Sequence, residues 1–579
     1  MRIRLLLIFS IILASGYGHS QWSSDPNVNT LICNVNHAQL LPKTAMTSNG
    51  ETYITWFDGR SGNLDVYLQK LDFHGTPQFT ANGIVVSSHP QNSWIGQYDI
   101  AVDADNNLII AFSDKRGAGG QDTTVNPYAY KISPEGTFLW GIDGVALTNV
   151  TASYQLWPKI AIASDGNVFV TWWEEGATTS SIFTQKLSPG GVLQWANPYV
   201  IPGNTVDKNI YPNIVPSDNG SAIVSWCQGP IGGGSFIPDL KSIKVTKLSP
   251  TSTQIWTDSI FSRPDPDIPP YVVPQVLPDG NNGAYFSWYH SRDANAITCA
   301  VQGINSAGTL RFPVNGVEVS TNGGQNQIEA HISYDAAGNV YAFWTETDLN
   351  QNFYGMSGQK ISPAGNLLWT DTGKVFIPLA TLKAPINIIT NYQDNSVFVT
   401  YIMDSTGYND RIYGYKLDND GNVGWGPNGI STILSLKYDM VGYTTSSGFS
   451  VYVWSDNRGS GTSGTGIWAQ NITTAGNLGQ VGINQISSEI PERFTLSQNY
   501  PNPFNPTTSI KFKVQSLKFV ELKVYDVMGR ETAVLVNENL SAGAYEVLFD
   551  ASGLTSGMYF YKLEADGEIV GTRKMVLIK

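Results

Sequence analysis

The sequence predicts an all-β chain, an eight-bladed β-propeller followed by a small immunoglobulin-like β-sandwich. Three observations lead there. The 579 residues include 57 Gly, 30 Pro and 12% aromatics against only 14% charged residues, a composition of short strands and many turns. Between Gln21 and about Ile490 one unit of four strand candidates recurs with degenerate sequence. From Phe494 to Lys579, short alternating segments bounded by Gly, Pro, Asn or Asp follow one another as the strands of an antiparallel sandwich do.

At the N-terminus, Arg2 and Arg4 precede an apolar run from Leu5 to Leu13, followed by small residues at Ala14, Ser15, Gly16, Gly18 and Ser20. A run this short, so flanked, reads as a secretory signal over residues 1–20, cleaved after Ser20 to leave Gln21 first. No later stretch is apolar for long enough to cross a membrane, so a soluble or surface-held mature protein with no transmembrane segment is expected.

The repeat is clearest in PKIAIASDGNVFVTWWEE, a loop, and SIFTQKLSPGGVLQWANPYVI. A first apolar strand enters a turn, and a second ends in an aromatic. After a variable loop a third ends in Lys, and a fourth begins at a Trp four residues beyond a turn Gly. Four strands per unit is a propeller blade. The second-strand aromatics set the count at eight: Trp56, Phe112, Trp172, Trp226, Trp288, Trp344, Tyr401 and Trp454. Six units end the third strand at Lys70, Lys131, Lys186, Lys247, Lys360 and Lys416, and seven carry the fourth-strand aromatic, at Phe79, Trp140, Trp195, Trp256, Phe312, Trp369 and Trp425. The eighth has Gln480 there, while Trp22 and the strand-like NTLICNV stand unassigned near the start. Either that N-terminal strand completes the last blade and removes an exposed edge, which is the simpler account, or Leu478 to Ile483 does so unaided. The propeller is thus expected over 21–486, a linker at Pro491 over 487–493, and the sandwich over 494–579.

The last segment carries YPNPF at Tyr500, Pro501, Asn502, Pro503 and Phe504, then Tyr525, Asp526, Gly529 and Arg530. Gly543 and Tyr545, then Leu554, Ser556, Gly557 and Tyr559, and the closing Lys574 to Lys579 complete the series. In order and spacing it resembles the C-terminal sorting domain of type IX secretion cargo. The resemblance implies passage through the periplasm, recognition by the type IX machinery, delivery to the outer cell surface or the medium, and removal of this domain by a surface protease.

Chemistry is harder to find. A formal charge of −13 offers no basic stripe for phosphates, which excludes nucleic acid as an expected partner. Cys33, Cys227 and Cys299 form neither a disulfide framework nor a metal-ligand spacing. Asp103, Asp105 and Asn107, like Asp418, Asp420 and Asn422, alternate as calcium loops do, but they fall on turns that other units fill with SDG or SPGG, and neither has the full loop with its final Glu. The Gly-to-Trp spacing resembles the tryptophan-docking motif of quinoprotein propellers, which serves blade packing, and no vicinal cysteine pair accompanies it. No sialidase box, GxSxG elbow or triad is present, and His37, His74, His89, His290 and His331 lie in different units. No catalytic residue, cofactor or metal is therefore assigned.

The recurrent acid and Arg after the second strand, Asp58 with Arg60, Asp114 with Arg116, and Asp456 with Arg458, read as exposed loop-fixing ion pairs contributing about 0 to 1 kcal/mol each. Candidate ligand contacts lie on the face shared by the long loops and the inter-blade segments: Trp94, Trp157, Tyr211 and Tyr271, which either stack on sugars or a protein partner or pack beneath the loops. Aligning the first strands brings Lys43, Asp99, Lys159, Asn213, Gln275, His331, Asn387 and Asp439 into one polar column around the expected channel. Lys159 and His331 join the aromatics as candidate contacts. A non-catalytic binding or scaffolding module for a glycan or protein is the primary expectation, and a glycan hydrolase or lyase at the propeller mouth the alternative.

Overall fold

The computed structural model describes residues 22–578 apart from 49, 92–96, 117–124, 149–152, 177–178, 231–239, 264–267, 270–271, 293–295, 382, 406–408, 445–448, 459–463, 480–483, 488 and 552–553. The expected signal segment, Trp94 and Tyr271 therefore lie outside the described residues. The described chain is all-β, with one 3-10 turn at Asp218–Gly220 and no α-helix.

Its strands form ten four-stranded antiparallel sheets. Sheet 1 runs in order through Gln39–Met46, Thr52–Asp58, Leu64–Leu71 and Ile84–Gln91. Sheets 2 to 7 repeat this order, beginning at Asp99, Tyr154, Asp207, Gln275, Gln325 and Lys383. Sheet 8 holds Lys437–Thr444, Phe449–Asp456 and Gly466–Thr473, and its fourth place is taken by Thr30–Cys33, which pairs antiparallel with Gly466–Thr473. Each inner strand packs against the neighbouring sheet, and Lys437–Thr444 returns to Gln39–Met46, so the eight sheets close a propeller-like circle.

The second-strand aromatics hold this circle together from inside. All eight are buried, none more than 6% exposed. The fourth-strand tryptophans join neighbouring sheets. The indole N–H groups of Trp140, Trp195, Trp256, Trp369 and Trp425 donate to the carbonyls of Pro189, Pro250, Ser306, Asn419 and Thr474, each on the turn that follows the third strand of the next sheet. The Gly of that turn accepts the ring: a Cβ on Gly191 would sit 2.7 Å from Trp140, and one on Gly421 2.8 Å from Trp369. Both glycines have positive φ, so the turn and the docked ring make the same demand. Trp140 and Trp195 are buried, whereas Trp256, Trp369 and Trp425 keep an exposed edge and are less enclosed than expected.

Trp22 supplies the missing eighth ring. It donates to the Phe73 carbonyl at 2.9 Å and covers Gly75, as the other tryptophans cover theirs. The N-terminal segment is thus the one that completes the last sheet. With that place filled, Asn484–Ser487 pairs instead with Gly543–Asp550 of a C-terminal sheet, so the expected end of the repeats at 486 falls inside the following domain.

The acid and Arg pairs differ from their expected exposure. Asp58, Asp114 and Asp456 are fully buried. Asp58 and Asp456 accept the indole N–H of Trp56 and Trp454, and each Arg bonds its Asp through both backbone and side chain. The guanidinium groups then lie over Tyr67, Tyr128 and Trp468 on the third strand, 3.9, 4.0 and 4.4 Å from the ring centres. Each guanidinium also reaches the outer strand of the preceding sheet, Arg60 to Cys33, Arg116 to Ser87 and Arg458 to Ser431, so the pairs clamp neighbouring sheets as well as their own.

The remaining two sheets, Asn484–Ser487 with Gly543–Asp550, Thr507–Val514 and Thr495–Leu496, and Glu531–Leu540 with Lys518–Tyr525, Gly557–Ala565 and Glu568–Leu577, share one core around Ile510, Phe512, Leu522, Val524, Tyr561 and Met575.

Candidate functional site at the centre of the circle

Most first strands carry a bulge near their start. Pairing skips from Leu40 to Lys43, Leu156 to Lys159, Ile210 to Asn213, Ile328 to His331, Ile386 to Ile389 and Tyr438 to Val441. The residue after each skip begins, Leu41, Trp157, Tyr211, Glu329, Asn387 or Asp439, has positive φ between 49° and 62°. Two places beyond the bulge residue stand Lys43, Lys159, Asn213 and His331 in sheets 1, 3, 4 and 6.

That position pairs with the residue preceding the second-strand aromatic: Lys43 with Thr55, Asp99 with Ala111, Lys159 with Thr171, Asn213 with Ser225, Gln275 with Ser287 and His331 with Phe343. In sheets 7 and 8 the equivalents are Ile389, opposite Thr400, and Val441, opposite Val453. Asn387 and Asp439 are instead the bulge residues. The expected column is two residues out of register in these two sheets, because the alignment followed polarity and a bulge leaves no mark in composition.

Lys43, Asp99, Lys159, Asn213, Gln275 and His331 line a cavity of about 800 Å³, together with Glu329. That is within the range of small-ligand sites. Glu329 was missed by sequence reasoning, since its position is signalled only by its positive φ. Burial pushes its carboxyl upward. Lys43 is lowered to about 8, first by burial and then by the like charge of Lys159, with Asp99 and Asp439 opposing. Burial alone takes His331 down to about 4, so the imidazole is neutral at pH 7.

Several of these groups are engaged with backbone. Asp99 accepts the Ile160 N–H at 3.0 Å and Gln275 accepts the Ile332 N–H at 2.7 Å, each bond crossing from one sheet to the next. Asn387 both accepts from and donates to Met440, across the seventh and eighth sheets. The site can therefore hold a polar ligand while its acid and amides also pin neighbouring sheets.

Of the candidate aromatics, Trp157 and Tyr211 do come together, 5.1 Å apart, but with Trp173 at 6.0 and 5.3 Å they form a packed cluster. Tyr211 is only 5% exposed and Trp157 is half-buried, so Tyr211 presents no ring face to a ligand. Packing won because their positive-φ bulge positions turn both rings inward against the second strand. Lys159 and His331 remain on the cavity wall.

The motif residues of the last segment build turns and register. Asp526 accepts the N–H groups of Met528 and Arg530, with Gly529 at φ 76° between them. The Pro501 carbonyl accepts from Asn499 and Thr508, and Asn502 accepts the Val576 N–H and donates to the Lys574 carbonyl. Phe504 is buried, and Phe549 packs against it. Tyr559 donates its hydroxyl to Thr555, two residues before Gly557 opens the next strand.

No curated protein matches the chain. Among solved structures, it is similar to the polysaccharide lyase Uly1, with 11% identity, 67% of this chain and 90% of that one covered, and a TM-score of 0.38. It is also similar to the Penicillium chrysogenum α-L-arabinanase complexed with arabinobiose, at 13% identity, 55% and 93% coverage and a TM-score of 0.30. The endo-arabinase of Bacteroides thetaiotaomicron VPI-5482 follows at 14%, 49% and 96%, and 0.24. Likeness this slight leaves activity to be decided by the chain's own residues. Residues 498–579, by contrast, match the secretion system C-terminal sorting domain, which makes this chain type IX secretion cargo, bound for the cell surface or the medium.

Proposed function

We propose that the mature protein is an eight-bladed β-propeller over the first eight sheets, joined to an immunoglobulin-like sorting sandwich, and that the propeller is a non-catalytic binding or scaffolding module outside the cell. The observation that supports this most directly is at the channel. Asp99 and Gln275 spend polar atoms on backbone groups of the adjoining sheet, which suits a rigid polar funnel better than a set of free acids and bases. Lys159 and His331 are left to orient a glycan or protein ligand at the mouth.

A glycan hydrolase or lyase has one observation in its favour: Glu329, with its carboxyl raised by burial, shares the cavity with Asp99. The two readings separate when the full-length mature protein is applied to glycan and protein arrays and each captured ligand is incubated with it. Binding weakened by Lys159→Ala with the ligand recovered intact is the expected result. Shortening or unsaturation of a captured glycan, lost in Glu329→Gln, would replace this reading by the enzymatic one.

A further inference from the structure

Sheet 7 lacks the clamp, and what stands in its place forms a second site. In sheets 1, 2 and 8 an Arg four residues beyond the second-strand aromatic covers the third-strand ring that pairs with that aromatic: Arg60 over Tyr67, Arg116 over Tyr128 and Arg458 over Trp468. The corresponding pair in sheet 7 is Tyr401 with Tyr413. Counting on from Tyr401, Met403 replaces the clamp Asp and Ser405 replaces the clamp Arg. Neither half of the ion pair is present, and Tyr413 loses its cover.

The space vacated is a cavity of about 340 Å³ between the outer parts of sheets 6 and 7. Its walls include Tyr401, Tyr413, Tyr415 and Phe376, with Arg411 and Lys383 at the end nearer the long loops. Charge has also reversed there. Arg411 pairs with Met403 in register, the place where sheet 1 sets Asp65 opposite Asp58. No ion pair ties Arg411 or Lys383 among the described residues. The adjacent Asp410 carboxylate accepts the Ser405 and Lys437 N–H groups and makes no ion pair with either cation among the described residues.

An uncovered tyrosine face between further aromatics, beside two cations that form no ion pair among the described residues, calls for a flat ring with an apolar face and an anionic substituent. The cations exclude a quaternary ammonium or guanidinium guest, although the aromatics alone would accept one. We infer that this groove between sheets 6 and 7 binds an anionic pyranose, one sugar ring stacked on Tyr413 with its carboxylate or sulfate held by Arg411. This site is separate from the channel, and it stands or falls independently of the function proposed for the mouth.

Titration calorimetry of the full-length mature protein tests it with four probes: a galacturonate trisaccharide, a sulfated galactose trisaccharide, a neutral galactose trisaccharide and benzoate. One or both charged sugars are expected to bind, the better of them identifying the anion, and the neutral sugar to bind at least tenfold more weakly. Arg411→Ala should weaken binding by roughly tenfold or more, the loss that follows from removing a hydrogen bond to a charged group. The double variant Met403→Asp with Ser405→Arg rebuilds the clamp of sheet 1, and is expected to fold with an unchanged near-UV spectrum and bind neither sugar. Absence of binding by both charged sugars, undiminished binding by the refilled variant, or benzoate binding as tightly as the sugars would each overturn the inference.

Discussion

His290 shows how much one side chain decides. In sheet 5 it stands where sheets 1 and 8 place Asp58 and Asp456, and the Trp288 indole below it finds no hydrogen-bond partner among the described residues. Burial, with help from Arg263 and Arg292, lowers the imidazole from 6.5 to about 3. The native state then binds fewer protons than the unfolded chain between these values, so stability is complete above about pH 6.5 and falls as pH drops toward 3. His290→Asp gives Trp288 an acceptor and Arg292 a carboxylate. It should add about 1 to 3 kcal/mol near pH 7 and remove part of that acid slope, as urea melts at several pH values would reveal. Trp195→Ala should cost about 3 to 5 kcal/mol in the same measurement; full stability would mean that the docked indole does not join sheets 3 and 4.

At the level of strands, what could be read in advance depended on whether side-chain chemistry or backbone geometry carried the signal. The second-strand aromatics and the Gly-to-Trp spacing were legible because burial and docking demand particular residue types at those points. Lys43, Asp99, Lys159, Asn213, Gln275 and His331 were legible as polar residues near the start of otherwise apolar strands. The bulges were not: Leu41, Trp157, Tyr211 and Glu329 share a conformation but no chemistry. The offset at Asn387 and Asp439 follows from that, as does the unexpected packing of Trp157 with Tyr211. The closing strand makes a separate prediction. Without residues 22–33, Gly466–Thr473 becomes an open edge carrying buried Ile467, Ala469 and Ile472. Such a truncation should self-associate, seen as a rise in mass by light scattering; a stable monomer with native melting would show that the eighth sheet does not need the strand.

For the molecule as a whole, address was far more legible than activity. The sorting motifs occupy turns whose geometry restricts sequence, such as Asp526 to Arg530, whereas a ligand site on a propeller-like circle draws single residues from strands far apart in the chain. Removing residues 484–579 takes away both C-terminal sheets, including the strand Asn484–Ser487, and leaves every strand of the circle. The shortened protein should fold, with its tryptophan emission unchanged, and accumulate inside the cell envelope on fractionation. Its normal appearance at the surface would contradict the role of the last domain.

The pairing of Thr30 with Ala469 also sets a timetable. Seven sheets take all their strands from consecutive sequence and are free to form as soon as their own residues are available. The eighth waits, because its outermost strand is among the earliest made and the strand it must meet among the last. Joining such distant segments adds little to the entropic cost, which grows only with the logarithm of the span, but it places the step at the end of folding. Until then the chain is an open arc with Thr30–Cys33 unpaired and the inner strands of sheets 1 and 8 unjoined. A nascent or half-exported molecule should therefore be protease-sensitive at both tips of that arc, and gain resistance there in one late, concerted event.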